Sequence, residues 1–271
     1  MIIQKLLDSD ISRAKKLWND NFDDGTKGFC DFAFSICGND NIYIVKEDEK
    51  PVSMLMAVAR LEYNGKKGFY LYSACTDSRY RGRGFMHSLV KYALEDKAKQ
   101  GYEFCVTKPA TESLFEFYKE MGFKNITKLR KCTIDVKRNL WRTAEFDIVT
   151  VSRFPMLRSK FYDGKILTYT KKDWEKYAEY LYTYGGSTAE NEDGYCVYYI
   201  ENEKIIVKEL LCENPLSATR LLQAIREKTG CEQAVVYLPE NSNIFFGEGA
   251  AENAFAVYGL DDDVYINLML E

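Results

Sequence analysis

The segment Leu71-Tyr-Ser-Ala-Cys-Thr-Asp-Ser-Arg-Tyr-Arg-Gly-Arg-Gly-Phe-Met-His87 determines the fold that we expect for this chain. Its first part is apolar and ends near Thr76, which predicts a strand. Its last part opens a helix whose apolar residues recur at helical spacing as far as Leu94. A strand that passes through a short turn into a helix leaves the first helical amides unpaired, beside the positive end of the helix dipole.

The turn within this segment carries three arginines and two glycines, which are Arg79, Arg81, Arg83, Gly82 and Gly84. Glycine lets the backbone approach a ligand closely, and arginine adds charge and hydrogen-bond donors. The combination predicts an anion site suited to a pyrophosphate. The turn lacks the lysine of a P-loop and the third glycine of a dinucleotide-binding turn. A solvated basic turn at a helix start is the alternative interpretation.

The elements around this segment predict a mixed α/β (α+β) fold. Three successive strands precede the helix, and a buried-type strand, a second helix and a further strand follow it as far as Asp135. The second half repeats a similar order of helix, strands, helix and strands, and it ends in a strand predicted over 264–270. We therefore expect two copies of one fold, with domains at 1–138 and 166–271 and an irregular connection at 139–165. A chance likeness between two α/β halves is the other possibility.

Composition limits the classes of function. The chain has 271 residues, of which 46% are hydrophobic and 29% are charged, so a sizeable core is available. A net charge of -4 argues against a dedicated nucleic-acid binder. The longest apolar run is too short to span a membrane, and no signal peptide is evident, so we expect a cytoplasmic protein. One His and eight Cys without a Cys-x-x-Cys pair predict no metal site and buried thiols.

Two ordered motifs resemble those of the GNAT superfamily of N-acetyltransferases. Arg79-x-x-Gly82-x-Gly84 after a strand resembles its acyl-CoA pyrophosphate loop. The stretch from Ser113 to Phe123, which ends Tyr118-Lys-Glu-Met-Gly-Phe, resembles its second motif. The resemblance covers roughly residues 1 to 136. Where the family usually has an asparagine, this chain has Thr111, which weakens any inference about a side-chain contact to CoA there.

The resemblance implies a site for acetyl-CoA. Backbone groups of the strand near Ala74, Cys75 and Thr76 would hold the pantetheine arm and polarise the thioester carbonyl. The loop would hold the pyrophosphate; its implied residues are Arg79, Tyr80, Arg81, Gly82, Arg83, Gly84 and Phe85.

The resemblance also implies that Tyr118 protonates the departing thiolate, although a packed helical aromatic is the plain alternative. The general base is not evident from the sequence. Glu62 is a candidate, with an exposed charge at a strand end as the alternative, and His87 is better interpreted as an ordinary helix residue.

The second half resembles the degenerate middle domain of tandem acetyltransferases of the enhanced-intracellular-survival type. Where the pyrophosphate loop would stand, it has Cys212-Glu-Asn-Pro-Leu216, without arginine or glycine. Glu213 would repel phosphate, so we expect no CoA there. Those enzymes carry a third domain that this sequence lacks, which leaves open their substrate class and a role for the terminal carboxylate of Glu271.

The sequence thus predicts an acetyl-CoA-dependent N-acetyltransferase with one active domain and one degenerate domain. The acceptor would be a primary amine of a small molecule or a peptide, with no nucleic acid, membrane or metal involved. A non-catalytic acyl-CoA-binding or sensor module is the alternative, and an RNA-directed enzyme is disfavoured by the acidic balance. The sequence does not indicate an oligomeric state.

Overall fold

The computed structural model describes residues 1–22, 28–140, 145–162, 164–247 and 249–270. The described residues divide into two compact units. Unit 1 comprises Met1–Asn125 and Phe255–Asp261, and unit 2 comprises Ile126–Ala254 and Asp262–Glu271. Unit 1 therefore includes a short segment from near the end of the sequence, and this segment interrupts unit 2. The domain limits predicted at residues 138 and 166 divide the chain into continuous stretches of sequence, whereas each unit has two segments. These limits therefore stay a prediction.

The elements alternate along the chain as a mixed α/β fold, as predicted. In the part that begins unit 1 they are β1 (Ile2–Lys5), α1 (Ile11–Phe22), α2 (Phe29–Cys37), β2 (Ile42–Glu47), β3 (Lys50–Tyr63), β4 (Lys66–Thr76), α3 (Phe85–Lys99), β5 (Phe104–Thr107) and α4 (Glu112–Glu120). After these come β6 (Lys124–Asp135), α5 (Phe154–Phe161), β7 (Thr168–Tyr169), α6 (Lys171–Thr183), β8 (Ser187–Asn191), β9 (Gly194–Glu201), β10 (Lys204–Cys212), α7 (Pro215–Thr229), β11 (Gln233–Pro239) and β12 (Ala250–Tyr258).

The sheet of unit 1 runs in the order β1-β2-β3-β4-β5 and then the second half of β12. The strands β1 to β4 pair antiparallel, whereas β4 and β5 pair parallel, because helix α3 carries the chain across between them. All four residues from Ile42 to Val45 are fully buried, so β2 is covered on both faces.

Unit 2 repeats this arrangement with its own elements. Its strands run in the order β6-β11-β10-β9-β8, with β10 and β11 parallel and joined by helix α7. The apolar face of α7, which includes Leu221, Leu222 and Ile225, packs in one core with buried strand residues such as Val236. The expectation of two copies of one fold agrees with this repeat of a meander followed by a parallel pair.

Three local predictions were wrong. Residues 264–270 do not form a strand; Tyr265 makes a single bridge, and this buried segment is held instead through side chains such as Asn267. The region expected to be irregular contains helix α5, which has a proline in its first turn, a position that proline tolerates. The sequence also predicts a loop at Gly185-Gly-Ser-Thr188, but Ser187 and Thr188 belong to β8, which pairs with β9.

Two further findings concern expected absences. Among the described residues, no helix is long and apolar enough to cross a membrane. The same residues contain no group of three or more His, Cys, Asp or Glu side chains placed to hold a metal ion. The eight cysteines are free thiols, and all except Cys30 are buried.

Candidate functional site

The strand edge between β4 and β5 is the first element of the candidate site. The parallel pairing of these strands ends at Leu71 and Thr107, which is the last residue of β5. Strand β4 continues to Thr76, and no strand among the described residues pairs with it on that side over 73–76, so this edge is open there. An open strand edge presents backbone N–H and C=O groups that a ligand with amide groups can pair with.

The direction of the backbone groups near the strand end follows from one hydrogen bond. The Asp77 amide donates to the Val52 carbonyl on β3 (2.9 Å). Because backbone groups alternate along a strand, the Thr76 groups point to the opposite side, toward the open edge. The side chain of Cys75 is buried, and burial raises the pKa of its thiol to about 12. By the same alternation Cys75 directs its backbone groups toward β3, where the Ser53 hydroxyl donates to its carbonyl (3.1 Å), and its thiol is kept neutral.

A bulge redirects the strand immediately before this end. Tyr72 pairs with Met56 and Cys75 with Met54, so β4 has one residue more than β3 in this interval. Ser73 within the bulge has a φ of 50°, in the left-handed region that costs energy for a residue other than glycine. The indole Nε1 of Trp18 on α1 donates to the Ser73 hydroxyl at 2.9 Å, and both side chains are buried. This hydrogen bond helps to hold the bulge in place.

The turn that follows β4 is organised by Asp77. Its carboxylate accepts from the Arg79 amide (3.0 Å) and from both Nε (3.1 Å) and Nη2 (2.7 Å) of the Arg79 side chain. These hydrogen bonds lower the pKa of Asp77 to about 2, so the carboxylate stays ionised at neutral pH. The resemblance in sequence implies that Arg79 binds a phosphate. In the structure its guanidinium instead donates to Asp77.

The side chains of the other two arginines also contact neighbouring residues of the chain. Arg81 donates from Nε to the Thr76 carbonyl (3.0 Å) and from Nη2 to the side chain of Asn21 (2.9 Å). The Arg83 guanidinium lies 5.0 Å from the centre of the Tyr80 ring, in a cation–π arrangement. Tyr80 in turn stacks on Phe85. The arginines thus converge on one turn, and all three are solvent-exposed.

The start of α3 supplies backbone donors. Gly82 and Gly84 have φ of 74° and 75°, which favours glycine, and a Cβ on either would meet nothing within 4 Å. Within the described residues, no side chain caps α3, and the first helical bond runs from the Ser88 amide to the Gly84 carbonyl (3.1 Å). The amides before Ser88 are therefore available to an anion, at the positive end of a 15-residue helix.

Tyr118 lies next to the point where β4 and β5 diverge. It is a buried residue of α4, and its ring packs on Phe117 and Phe123. Burial raises the pKa of Tyr118 to about 12, and a hydrogen bond with the Thr107 side chain lowers it in part. Thr107 itself donates to the Leu71 carbonyl (3.2 Å). The structure therefore brings Tyr118 to the same strand junction as the open edge of β4.

The structure separates one base candidate from this junction. Glu62 is exposed and pairs with Lys67 beside the β3–β4 turn, five residues along β3 from Ala57, which pairs with Leu71 at the junction. Five strand residues span about 17 Å. His87 is exposed in the first turn of α3, close to the glycine turn in sequence.

Sequence reasoning missed the contribution of β12 to this unit. Ala256, Val257 and Tyr258 pair antiparallel with β5, on the side away from β4. The Tyr258 ring contacts Phe123 and lies over Gly122. The alternation of residues 254–258 does predict a strand, but nothing in it indicates which half of the chain that strand joins.

Comparison with known proteins extends these observations. Residues 3–126 match a family model described as the Acetyltransferase (GNAT) domain. No curated protein matches the chain. A GCN5-related N-acetyltransferase from Kribbella flavida has a similar structure, with a TM-score of 0.72 and 15% identity over 94% of this chain and 71% of that one.

Two further solved structures share the fold. Eis1 from Mycobacterium abscessus has a TM-score of 0.70 and 10% identity, over 96% of this chain and 74% of that one. A putative acetyltransferase from Pyrococcus horikoshii has a TM-score of 0.65 and 16% identity, over 97% and 91%. At such identities the likeness shows the fold alone. Together with the family match, it confirms the resemblance found in the sequence, including the likeness to tandem acetyltransferases.

Proposed function

Residues 3–126 form a GNAT acetyltransferase domain, and on that premise we propose that the chain transfers an acetyl group from acetyl-CoA to a primary amine. The acceptor would be a small molecule or a peptide. The observation that carries this proposal is the open edge of β4, which runs directly into a glycine turn and an uncapped helix start.

The residues present fit acetyl-CoA. The open edge at Ala74 and at the Thr76 amide matches an arm that contains amide groups, because no strand of the described residues pairs with it there, whereas the Thr76 carbonyl accepts from Arg81. The space around Gly82 and Gly84, with the first amides of α3 behind it, matches a pyrophosphate. The exposed guanidinium groups of the turn can add charge-assisted hydrogen bonds, Arg79 by leaving Asp77.

Tyr118 is proposed as the general acid. Acetyl-CoA supplies an activated thioester: as the amine nitrogen bonds to its carbonyl carbon, the carbon–sulfur bond breaks and the sulfur needs a proton. The raised pKa keeps Tyr118 protonated at neutral pH, so its hydroxyl can donate that proton. Its place beside Thr107 supports this role. The amine must also lose a proton, and no residue is assigned to that step.

One observation favours a second candidate, an acyl-CoA-binding sensor without turnover. Strand β4 carries no acid in its sequence up to Thr76, and the next carboxylate, Asp77, is bound to Arg79. A protein that only binds the thioester needs no base near the acyl group, so this arrangement suits it.

The two candidates are distinguished by thiol release from acetyl-CoA with a panel of primary amines, including polyamines, aminoglycosides and lysine-containing peptides. We expect release that depends on one class of amine and that is lost in Tyr118→Phe. Binding of acetyl-CoA without release for any amine, and equally tight in Tyr118→Phe, would support the sensor. Absence of binding by a folded protein would contradict both.

A further inference from the structure

Unit 2 contains a cleft with the same strand geometry as the candidate site but different chemistry. Strands β10 and β11 pair parallel as far as Val207 and Val236. Beyond these residues β10 continues to Cys212 and β11 to Pro239, so their facing edges are not paired to each other. A cavity of about 450 Å³ lies there, within the size range of ligand-binding pockets.

Backbone groups of β10 face this cavity. The Glu213 amide donates to the Asp193 carbonyl (2.9 Å), on the β9 side. By the alternation of a strand, Cys212 and Leu210 direct their backbone groups to the other side, toward β11. Both residues line the cavity. The cavity therefore offers an amide ladder to an extended chain, which is how a peptide strand is recognised.

The rim of the cavity excludes phosphate. Helix α7 begins directly after Glu213 and Asn214, and the Asn214 side chain caps it by accepting from the Ser217 amide (3.0 Å). The Ser217 hydroxyl donates to the Asp193 carboxylate (3.0 Å). The cap takes up the Ser217 amide, Pro215 has no amide hydrogen, and the carboxylates of Asp193 and Glu213 add negative charge that opposes an anion.

The remaining lining favours a peptide with a cationic residue. Asn243 presents an exposed amide at the rim, and Glu213 is also exposed there. The Lys160 ammonium donates a hydrogen bond to the Glu192 carbonyl (2.9 Å). The C-terminal segment contacts β10 earlier in the strand, where the Asn267 amide donates to the Lys208 carbonyl (2.5 Å), and Asn267 does not line the cavity.

We propose that this cleft binds an extended peptide segment, paired with the backbone of Leu210 and Cys212 and carrying a lysine or arginine beside Glu213. The site is separate from the acetyl-CoA site proposed above. It binds no nucleotide, and it gives unit 2 a recognition role of its own.

The test uses the whole chain and two blocked pentapeptides, acetyl-Ala-Val-Lys-Val-Ala-amide and the same peptide with glutamine at the centre. Binding is measured by calorimetry, and backbone amide hydrogen exchange locates the contact. We expect saturable binding of the lysine peptide, at least tenfold tighter than the glutamine peptide, with slowed exchange at Leu210 and Cys212. The preference for lysine should be lost in Glu213→Gln.

Two bulky variants provide the control. Asn243→Trp adds volume at the rim of the cavity and should weaken binding at least tenfold. Gln233→Trp places the same side chain at the exposed far end of β11 and should leave binding unchanged. Both variants should keep the wild-type response to acetyl-CoA, which separates this proposal from the proposed function.

Three results would overturn the proposal. The first is no saturable binding of either peptide by the folded protein at millimolar concentration. The second is equal binding by Asn243→Trp and the wild type. The third is displacement of the lysine peptide by pantetheine, which would mark the cleft as a cofactor-arm site and not a peptide site.

Discussion

The two parallel strand pairs of this protein begin alike and end differently. Five residues of β4 follow the last parallel pair at Leu71, and five residues of β10 follow the last pair at Val207. In both strands an acid comes next: the Asp77 amide donates to Val52 on β3, and the Glu213 amide donates to Asp193, directly before β9. Seven residues separate Asp77 from the start of α3 at Phe85, whereas one residue separates Glu213 from the start of α7 at Pro215.

This difference indicates where nucleotide binding would reside. The strand geometry alone provides an amide edge in both units, so it does not distinguish them. The six additional residues before α3 bring the arginines and glycines, and they leave the helix start uncapped. The short connection before α7 places a capping asparagine at the same point. A few loop residues thus separate the proposed cofactor site from a site that we propose binds no phosphate.

The second difference lies two residues beyond the last parallel pair. In β4 this position is Ser73, bound by Trp18, and in β10 it is Glu209. Glu209 is fully buried and forms an ion pair with Arg158, with both contacts at 3.2 Å. The hydroxyls of Tyr195 and Tyr265 also donate to this carboxylate. The Glu209 carboxylate therefore has a structural role in unit 2.

The largest expected effect is that of Tyr118→Phe. Losing the phenolic proton donor should lower kcat by roughly 10²–10⁴-fold, while the Kd for acetyl-CoA stays near the wild-type value. Because the pKa of Tyr118 is about 12, ionisation of this group should not reduce activity below about pH 11. The measurement is steady-state thiol release across pH, with Tyr237→Phe in unit 2 as the control. A kcat for Tyr118→Phe within twofold of wild type would remove this residue from the mechanism.

The second prediction tests the structural role of the acid in β10. Arg158→Met should leave the Glu209 carboxylate buried without its cation, at a cost of about 3–5 kcal/mol in the free energy of unfolding. The double variant Arg158→Met/Glu209→Leu should recover part of that loss, because no charge stays buried. Urea denaturation measures both. A single variant as stable as the wild type would show that this pair is not structural.

The third prediction concerns the bulge of β4. Trp18→Phe keeps most of the ring but removes the hydrogen bond to Ser73, which should lower the free energy of unfolding by about 0.5–1.5 kcal/mol. If the bulge orients the open edge, kcat/KM for acetyl-CoA should fall several-fold as well. A Trp18→Phe variant with the wild-type kcat/KM and the wild-type stability would contradict this prediction. Loss of stability with unchanged kcat/KM would limit Trp18 to packing.

The smallest expected effect is that of Asn214→Ala. Removing the cap of α7 should cost about 1 kcal/mol of stability. It should leave the Kd for acetyl-CoA unchanged, since unit 2 is proposed to bind none. A changed Kd, read by calorimetry, would break the distinction between the two units.

The elements that surround the glycine turn were accessible from the sequence for a physical reason. Helical and strand periodicities, together with glycine and proline stops, are local, and they place α3, β4 and α7 within a few residues. The anion-binding character of the turn is equally local, because it depends on residue types that are adjacent in the chain. For the same reason, the sequence alone distinguishes the residue before α7, Asn214, from the residue before α3, Gly84.

The partners of side chains and of distant strands were not accessible from the sequence. The Arg79 side chain binds an acid two residues away, but nothing in the sequence ranks that contact above a phosphate. The pairing of Tyr258 with Cys105 joins positions more than 150 residues apart, and an alternating strand does not specify its partner. The buried segment at 264–270 resembles a strand in composition, yet Leu268 has a φ of 60°, which an extended strand does not allow.

The central claim is that acetyl-CoA binds at the glycine turn before α3. The most direct measurement is the free energy of unfolding with and without acetyl-CoA, in the wild type and in Gly82→Glu/Gly84→Glu. Acetyl-CoA at about 100 times its Kd should stabilise the wild type by roughly 2.7 kcal/mol. The glutamates add negative charge where the pyrophosphate would lie, so the stabilisation should disappear. Gly82→Ala/Gly84→Ala, which carries the same backbone strain without the charge, should retain more of it. No stabilisation of a folded wild type, or equal stabilisation of the glutamate variant, would contradict the account.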